Sequence, residues 1–356
     1  MIPVRHKLQG REQMINNERR TRRVQLESWE VGGELLDILS RGLYSDAKDA
    51  LREYVQNGVD AEAEHILITV DGSQAVIRDD GHGMNEEEIR TARRFGMSGK
   101  SPREMVGYRG IGIYSAFGIC EEMTITSRQA GMENLVGWTF KFGEMRRLLE
   151  ADKASDARQG VGLPDLMYQY SELFSEPYYG DVDDHFTVVE IDGLGEEYRA
   201  QLNNAAEVND YILNTIPVAF SEDGYGDKVN GWLEEYAELN PVRITLRIAD
   251  ESEIDVSPPV ATGVYSPESD WIKAPDGTAL AFVWYALSAN GKQLPSHEGS
   301  EVSGFLLKVK GFTLGDRLAL KGLWPAVGGG RCTITIPGKF TYWQQIRSIQ
   351  MQRGMI

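Results

Sequence analysis

Three stretches decide how this chain is read: ALREYVQNGVDA at residues 50–61, DDGHGM at 79–84 and GYRGIGIYSAF at 107–117. In the first, Glu53, Asn57 and Asp60 recur at i, i+4 and i+7, so a helix carries all three on one stripe. Leu51, Tyr54, Val55 and Val59 fall on the opposite arc. A carboxylate, a carboxamide and a second carboxylate in line can orient a water and complete a metal shell. Taken alone, the same pattern is the polar side of an ordinary surface helix. In the second stretch, Gly81 and Gly83 flank His82 and allow a flat ligand close to the backbone, while a buried Asp79 accepts a hydrogen bond from an exocyclic amine. Its alternative is an acidic turn. In the third, Gly107, Arg109, Gly110, Ile111 and Gly112 lead into a helix start, where unpaired N–H groups and the helix dipole favour an anion.

Working outward, Val24 to Tyr44 has helical spacing interrupted by Gly32 and Gly33, and Ser45 reads as the N-cap of the helix that carries Glu53. Ile66 to Val70, Asp71-Gly72 and Ala75 to Ile77 predict a β-hairpin. Asn85 with Glu88 forms a capping box, Ile111 to Ile119 reads as helix, and Met123 to Arg128, Leu135 to Phe142 and 185–191 read as strands. Residues 151–184, polar and acidic, read as an insertion or long loop, and Glu196 to Phe220 as mostly helix. SEDGYGDK at 221–228 is the strongest boundary signal. Beyond it VRITLRI (242–248), LAFVWYALS (279–288), FLLKVKGF (305–312) and CTITIPG (332–338) are strand-like, so the second domain is expected to be strand-rich. Tyr265, Trp271, Trp284, Tyr285 and Trp324 read as packing of that domain.

Other nucleotide motifs fail on spacing. Gly99-Lys100-Ser101 matches the end of a Walker A loop, but the position of its first glycine is Arg94. A dinucleotide fingerprint set on Gly110 and Gly112 puts Ser115 at its third glycine. The chain has 356 residues with 37 Lys+Arg against 54 Asp+Glu, a formal charge of −17, which argues against a surface that grips nucleic acid throughout. The exception is a basic arm at residues 1–23, where Arg5, Lys7, Arg11, Arg19, Arg20, Arg22 and Arg23 face only Glu12 and Glu18; it reads as a solvated terminus or as a contact to nucleic acid or a partner subunit. Cys120 and Cys332 have no metal-ligand spacing and read as reduced core thiols. The absence of a long apolar run predicts no membrane span and a cytoplasmic setting.

The order E-x-x-x-N-x-x-D-A at Glu53 to Ala61, D-x-G-x-G at Asp79 to Gly83 and G-x-x-G-x-G at Gly107 to Gly112 resembles the ATP-binding fold shared by gyrase, heat-shock chaperones, histidine kinases and MutL, the GHKL superfamily. The wording of the motifs is most similar to the ninety-kilodalton heat-shock chaperones and the MORC-like branch; the Asp79-Asp80 pair is similar to gyrase and Gly107 to Gly110 to MutL. The resemblance implies an α/β two-layer sandwich, the Bergerat fold, over residues 24–220. It further implies a linker at 221–228, a transducer-like α/β domain at 229–345 resembling the chaperones' middle domain, and a tail at 346–356. It implies Glu53 as general base, Asn57 as Mg²⁺ ligand, and Asp79 as acceptor of the adenine amino group. Gly81, Gly83 and Met84 then line the adenine pocket, with Thr187 supporting the same contact although Phe186 stands where the family commonly has glycine. Gly96 to Gly112 becomes a lid, with Lys100 and Arg109 within it and Gly107, Gly110, Ile111 and Gly112 offering backbone donors. A basic residue of the second domain is expected at the γ-phosphate; Lys308, Lys310 and Arg317 are the candidates, and the sequence does not choose among them. Asp60 completes the polar stripe.

The function so implied is Mg²⁺-dependent ATP binding and slow hydrolysis, coupled to lid closure and ATP-dependent homodimerisation and directed at protein clients or a separately encoded subunit. A chain ending at residue 356 is expected to lack those chaperones' C-terminal dimerisation domain. Two alternatives stay open: an ATPase clamp in DNA transactions or genome defence, and a nucleotide switch that does not hydrolyse.

Overall fold

The predicted hairpin is the centre of an eight-stranded sheet. The computed structural model describes residues 31–43, 46–92, 111–157, 160–249, 253–258, 260–290, 304–309, 311–313 and 330–336. The basic arm, Lys100, Gly107, Arg109, Gly110, Lys310, Arg317, Trp324 and the tail lie outside the described residues. Helices α1 (Glu34–Leu43) and α2 (Ala47–Asp60) come first, then β1 (His65–Asp71) and β2 (Gln74–Asp79). Gly72, at φ 58°, makes their tight turn. Next are α3 (Glu86–Ala92), a 3₁₀ helix at Gly112–Gly118, β3 (Glu122–Arg128), β4 (Asn134–Phe140), α4 (Phe142–Ala154), α5 (Leu163–Tyr170), β5 (Ser171–Pro177) and β6 (Phe186–Asp192). Then follow α6 (Glu196–Leu202), α7 (Ala205–Thr215), α8 (Gly226–Ala237), β7 (Arg243–Ile248), β8 (Ile254–Val256), β9 (Glu268–Lys273), β10 (Ala279–Leu287), β11 (Gly304–Val309), β12 (Phe312–Thr313) and β13 (Gly330–Ile336).

The first sheet runs β5-β4-β3-β6-β2-β1-β7-β8, and the second β12-β11-β13-β10-β9. Period-2 alternation sends Ile66, Ile68 and Val70 of β1, Ala75 and Ile77 of β2, Met123 and Ile125 of β3 and Val189 and Ile191 of β6 to one face, all buried. Leu36, Leu51, Val55, Phe117, Leu149, Leu166, Val208 and Ile212 of the helices join them in a single core. The opposite face carries Arg78, Thr124, Thr126, Glu190, Arg243 and Arg247, none of them buried. This is a two-layer sandwich with helices on one side. In the second sheet, Phe282 and Trp284 of β10 pack under Val229, Leu233 and Ala237 of α8.

Three expectations are corrected. Residues 151–184 are not a loop: α5 buries Leu163 and Leu166, and β5 pairs antiparallel along β4. Edge position hid that strand, because its residues are at most half-buried and the hydrophobic alternation is weak. The cap of α2 is Asp46, whose carboxylate accepts the Lys48 N–H at 2.9 Å; Ser45 lies outside the described residues. VRITLRI does not belong with the second sheet. It pairs in parallel with β1, Ile68 opposite Leu246 and Val70 opposite Ile248, and buries Ile244, Leu246 and Ile248 in the first core. Cys120 is buried and free, as expected. Among the described residues no helix is long and apolar enough to cross a membrane.

Leu246 is fully buried, and Leu246→Ala is expected to cost about 2–5 kcal/mol in the unfolding transition of the first sheet, measured by urea titration followed at a probe within it. If that transition were unmoved, β7 would not be part of this core.

Candidate functional site

The polar stripe is realised on α2, with Glu53, Asn57 and Asp60 each partly buried. Tyr54, on the helix's inner side, fixes what lies above it. Its hydroxyl accepts the Ala116 N–H at 3.1 Å and sits 3.0 Å from the Met123 sulfur, tying α2 to the 3₁₀ helix and to β3. That short helix is seated by edge-on aromatic contacts: Tyr114 meets Trp138 and Phe140 at ring-centroid distances of 6.3 and 5.7 Å, and Phe117 meets Phe142 at 5.4 Å. Arg146 caps its far end by donating to the carbonyls of Phe117 and Cys120. The result brings the first and third motifs together. Glu53 Oε2 stands directly over Gly112, where a Cβ would come within 2.6 Å of it, while Glu53 Oε1 accepts from Arg52 Nη2 at 3.1 Å. Ile111, partly buried, precedes the helix as its N-cap residue.

At the other end of α2, Gly58 lets the helix press on the end of β2: a Cβ there would lie 3.0 Å from Ile66 Cδ1 and 3.1 Å from Asp79 Cβ. Asp79 is 6% exposed. Burial pushes its carboxyl up to about 6, with the nearby Asp80 charge adding to the rise; the N–H groups of Gly81 and Thr187 and the nearby His82 pull the other way. The loop glycines have a different cause from the one the sequence suggests. At Gly81 a Cβ would lie 2.8 Å from Ala61 Cβ and from the Ala61 carbonyl oxygen, and at Gly83, φ +69°, it would lie 1.9 Å from the Arg128 carbonyl oxygen. Protein atoms fill both spaces, so the glycines seat the loop against α2 and β3. Asp80 holds the loop from below by accepting the N–H groups of Glu64 and His65 at 2.9 and 2.8 Å. His82 is exposed, its Nδ1 against the Gly83 carbonyl.

Thr187 lies across from Asp79 in the β2–β6 register, and Ser127 lies across from Thr187 in the β3–β6 register. The three polar side chains therefore form a row on the inner face of three adjacent strands. Ser127 is fully buried and joins them: its hydroxyl donates to the Phe186 carbonyl at 3.0 Å, accepts the Met84 N–H at 2.8 Å and lies 2.9 Å from the Thr187 hydroxyl. Phe186 points to the opposite face, beneath the Arg78 guanidinium at 4.5 Å and beside Tyr178 at 5.8 Å. It leaves the row untouched. Sequence reasoning missed Ser127, although the phase Met123, Ile125, Ser127 in MTITSR marks it as an inward polar residue. It also missed His185, whose Nδ1–H donates to the Gly81 carbonyl at 2.8 Å.

Lys308, on β11, is placed elsewhere. Its Nζ donates to the Ile216 carbonyl at 3.5 Å, and its side chain lines a cavity with Leu213, Pro217, Trp284 and Gly311 between the two sheets.

Residues 44–163 match the family described as histidine kinase-, DNA gyrase B-, and HSP90-like ATPase. Chaperone protein HtpG of Rickettsia bellii (strain OSU 85-389) is 32% identical over 139 residues, covering 30% of this chain and 22% of the relative. HtpG of Rickettsia typhi is 30% identical over 162 residues, covering 36% and 26%. This chain thus spans only about a quarter of the length of the chaperones it matches. Over residues 44–163, which form part of the first sheet and its helices, the chain is similar to GHKL-type ATPases, and within that superfamily to the heat-shock chaperones of the HtpG kind.

Ser127→Ala removes one hydroxyl that serves three partners and is expected to cost about 1–3 kcal/mol of stability. Thr126→Ala, on the outer face of the same strand, is expected to stay within about 0.5 kcal/mol. Equal changes in thermal unfolding for the two variants would remove Ser127 from its role as hub.

Proposed function

We propose that this site binds ATP with Mg²⁺ and hydrolyses it slowly, Glu53 acting as general base. The observation that carries the reading is the seating of the Glu53 carboxylate on the Gly112 backbone, at a 3₁₀ helix start fed by the glycine-rich segment. A phosphate held by backbone N–H groups there lies next to the carboxylate that orients the attacking water. Asp79, with Thr187 and Met84 beside it, takes the adenine amino group. Asn57 suits Mg²⁺, which takes one or two protein oxygens and leaves the rest of its shell to phosphates and water. Bound there, the ion neutralises charge on the β- and γ-phosphates. Closure of Gly96 to Gly112 over the triphosphate, ATP-dependent pairing of two chains, action on protein clients and a cytoplasmic setting belong to the same proposal, supported by the resemblance to the chaperones.

Steady-state turnover with Mg²⁺ is expected to fall at least about a hundredfold in Glu53→Ala with ATP binding retained. Light scattering with a non-hydrolysable analogue is expected to give a dimer. Binding without turnover in the unaltered chain would overturn the hydrolytic reading in favour of a switch, and no binding at all would overturn the site.

Asp79 sets a pH dependence with two opposite signs. The adenine amino group donates, so Asp79 must be ionised, and ATP affinity is expected to be full at pH 7 and to fall as pH drops through about 6, approaching tenfold per unit. Stability runs the other way. The folded carboxyl is raised from 3.8 to about 6, so between these values the folded state holds more proton than the unfolded one, and the group's contribution to stability falls as pH rises. Calorimetric ATP titrations from pH 5 to 8 and denaturant titrations from pH 4 to 6, each compared with Asp79→Asn, check both signs; a flat difference in either removes Asp79 as the titrating group.

A further inference from the structure

The inner row of Asp79, Thr187 and Ser127 has a counterpart on the opposite face of the same strands, where their chain neighbours Arg78, Phe186 and Arg128 stand. Arg128 is 3% exposed, a costly setting for a guanidinium, and among the described residues no carboxylate is hydrogen-bonded to it. Its donors go to backbone instead. Nη1 donates to the Asp184 carbonyl, and Nη2 to the carbonyls of Met132 and Val182 at 2.8 and 3.1 Å. The guanidinium lies 4.4 Å from the centroid of the Tyr178 ring, and the Tyr178 hydroxyl donates to Asp184 Oδ2 at 2.6 Å. The Gly131 N–H donates to the Val182 carbonyl at 2.7 Å, and the Tyr178 N–H to the Glu133 carbonyl at 3.0 Å. One buried side chain therefore clasps the turn between β3 and β4 to residues 178–184.

Both clasped segments lead to the loop that follows Asp79. On the β3 side, the Arg128 carbonyl oxygen occupies the space that a Gly83 Cβ would need, and the Ser127 hydroxyl accepts the Met84 N–H. On the β6 side, His185 follows Asp184 in the chain and donates from Nδ1 to the Gly81 carbonyl at 2.8 Å. The Phe186 carbonyl, which accepts the Ser127 hydroxyl, lies 3.1 Å from the same Gly83 Cβ position. The two N–H groups that orient the Asp79 carboxylate belong to this arrangement: that of Gly81, which reaches Oδ1 at 3.0 Å, and that of Thr187, two residues past His185.

We propose that Arg128 is a positioning residue for base recognition: from the far face of the sheet it holds the two strand ends on which the loop rests, and so fixes the Asp79 carboxylate against the adenine amino group. This rests on the reading of Asp79 as the adenine acceptor. A hydrogen bond weakens steeply with misalignment, so preference for an amino group over a carbonyl oxygen at that point of the base depends on a carboxylate held still. Releasing the clasp frees the Gly81 and Thr187 donors to shift, and the carboxylate shifts with them.

ITP, which carries a carbonyl oxygen where ATP carries the amino group, is the probe. Calorimetric titration of the full chain is expected to show a preference for ATP over ITP, and Arg128→Met is expected to reduce it about tenfold by weakening ATP while leaving ITP within about twofold. Arg128→Lys, which keeps the charge and reaches fewer carbonyls, is expected to restore part of the preference. A merely structural role would weaken both nucleotides together, and that result overturns the proposal, as does an unchanged preference. Tyr178→Phe, which drops the bond to Asp184 and keeps the ring, serves if Arg128→Met does not fold, with an expected loss of about threefold. Hydrogen exchange by mass spectrometry reads the clasp without nucleotide: exchange over residues 80–84 is expected to speed up at least about threefold in Arg128→Met. Should the unaltered chain bind ATP and ITP alike, the reading of Asp79 falls, while unchanged exchange at 80–84 overturns the clasp on its own.

Discussion

A carboxylate buried at the end of a central strand is the constraint around which the first domain is arranged. Asp79 is nearly inaccessible and sits among the side chains that form the core, an expensive place for charge. Its carboxyl is tolerated there because backbone N–H groups converge on it, from Gly81 two residues on and from Thr187 across the sheet. Those donors arrive only if the loop folds back tightly and α2 comes close, and each requirement is met by a missing side chain: Gly81 against Ala61, Gly83 against the Arg128 carbonyl, Gly58 against Asp79 itself. Three glycines are therefore structural necessities of one carboxylate. Substituting Gly81 or Gly83 forces backbone apart before a ligand is involved, and substituting Gly58 crowds the Ile66 and Asp79 side chains.

The legibility of the site follows from this coupling. Motifs whose spacing is dictated by backbone approach, such as D-x-G-x-G, survive in the chain as fixed patterns, and the i, i+4, i+7 stripe on α2 is a matter of helical period alone. Both could be read. Ser127 could be read only by phase, because its meaning depends on which residue stands opposite it on β6, a strand adjacent in the sheet but distant in the chain. Asp49 and Tyr211 carry no local signal, since their hydrogen bond joins residues 162 positions apart in the chain. The motif suggests room for a ligand at the loop glycines; in the structure Gly81 also packs against Ala61 and Gly83 against the Arg128 carbonyl, contacts no local pattern announces.

The fold was legible where hydrophobic alternation is strong and failed where the environment is one-sided or the partner distant. β1 and β2, central and buried on one face, were plain. β5 was hidden because an edge strand buries little. β7 was recognised as a strand and assigned to the wrong sheet, for a physical reason: a parallel pairing is specified by what lies between the two strands, and here nearly the whole first domain lies between β1 and β7. The consequence is organisational. The sheet that holds the site is completed by strands arriving after α8, so α8, whose apolar face packs on Phe282 and Trp284 of the second sheet, is bracketed in the chain by strands of the first.

That bracketing bears on how two carboxylates at opposite ends of α2 are treated. The apolar setting of Asp79 raises its proton affinity against the pull of the N–H donors it accepts from, so its ionisation is sensitive near pH 6. Glu53 is instead held by a cation, Arg52, at the more open end of the helix, beside Gly112. The guanidinium competes with a water for the lone pairs of a carboxylate so paired. On the roles proposed for these two groups, recognition would rest on rigid backbone around Asp79, whereas reactivity would depend on the side-chain pairing of Glu53 with Arg52.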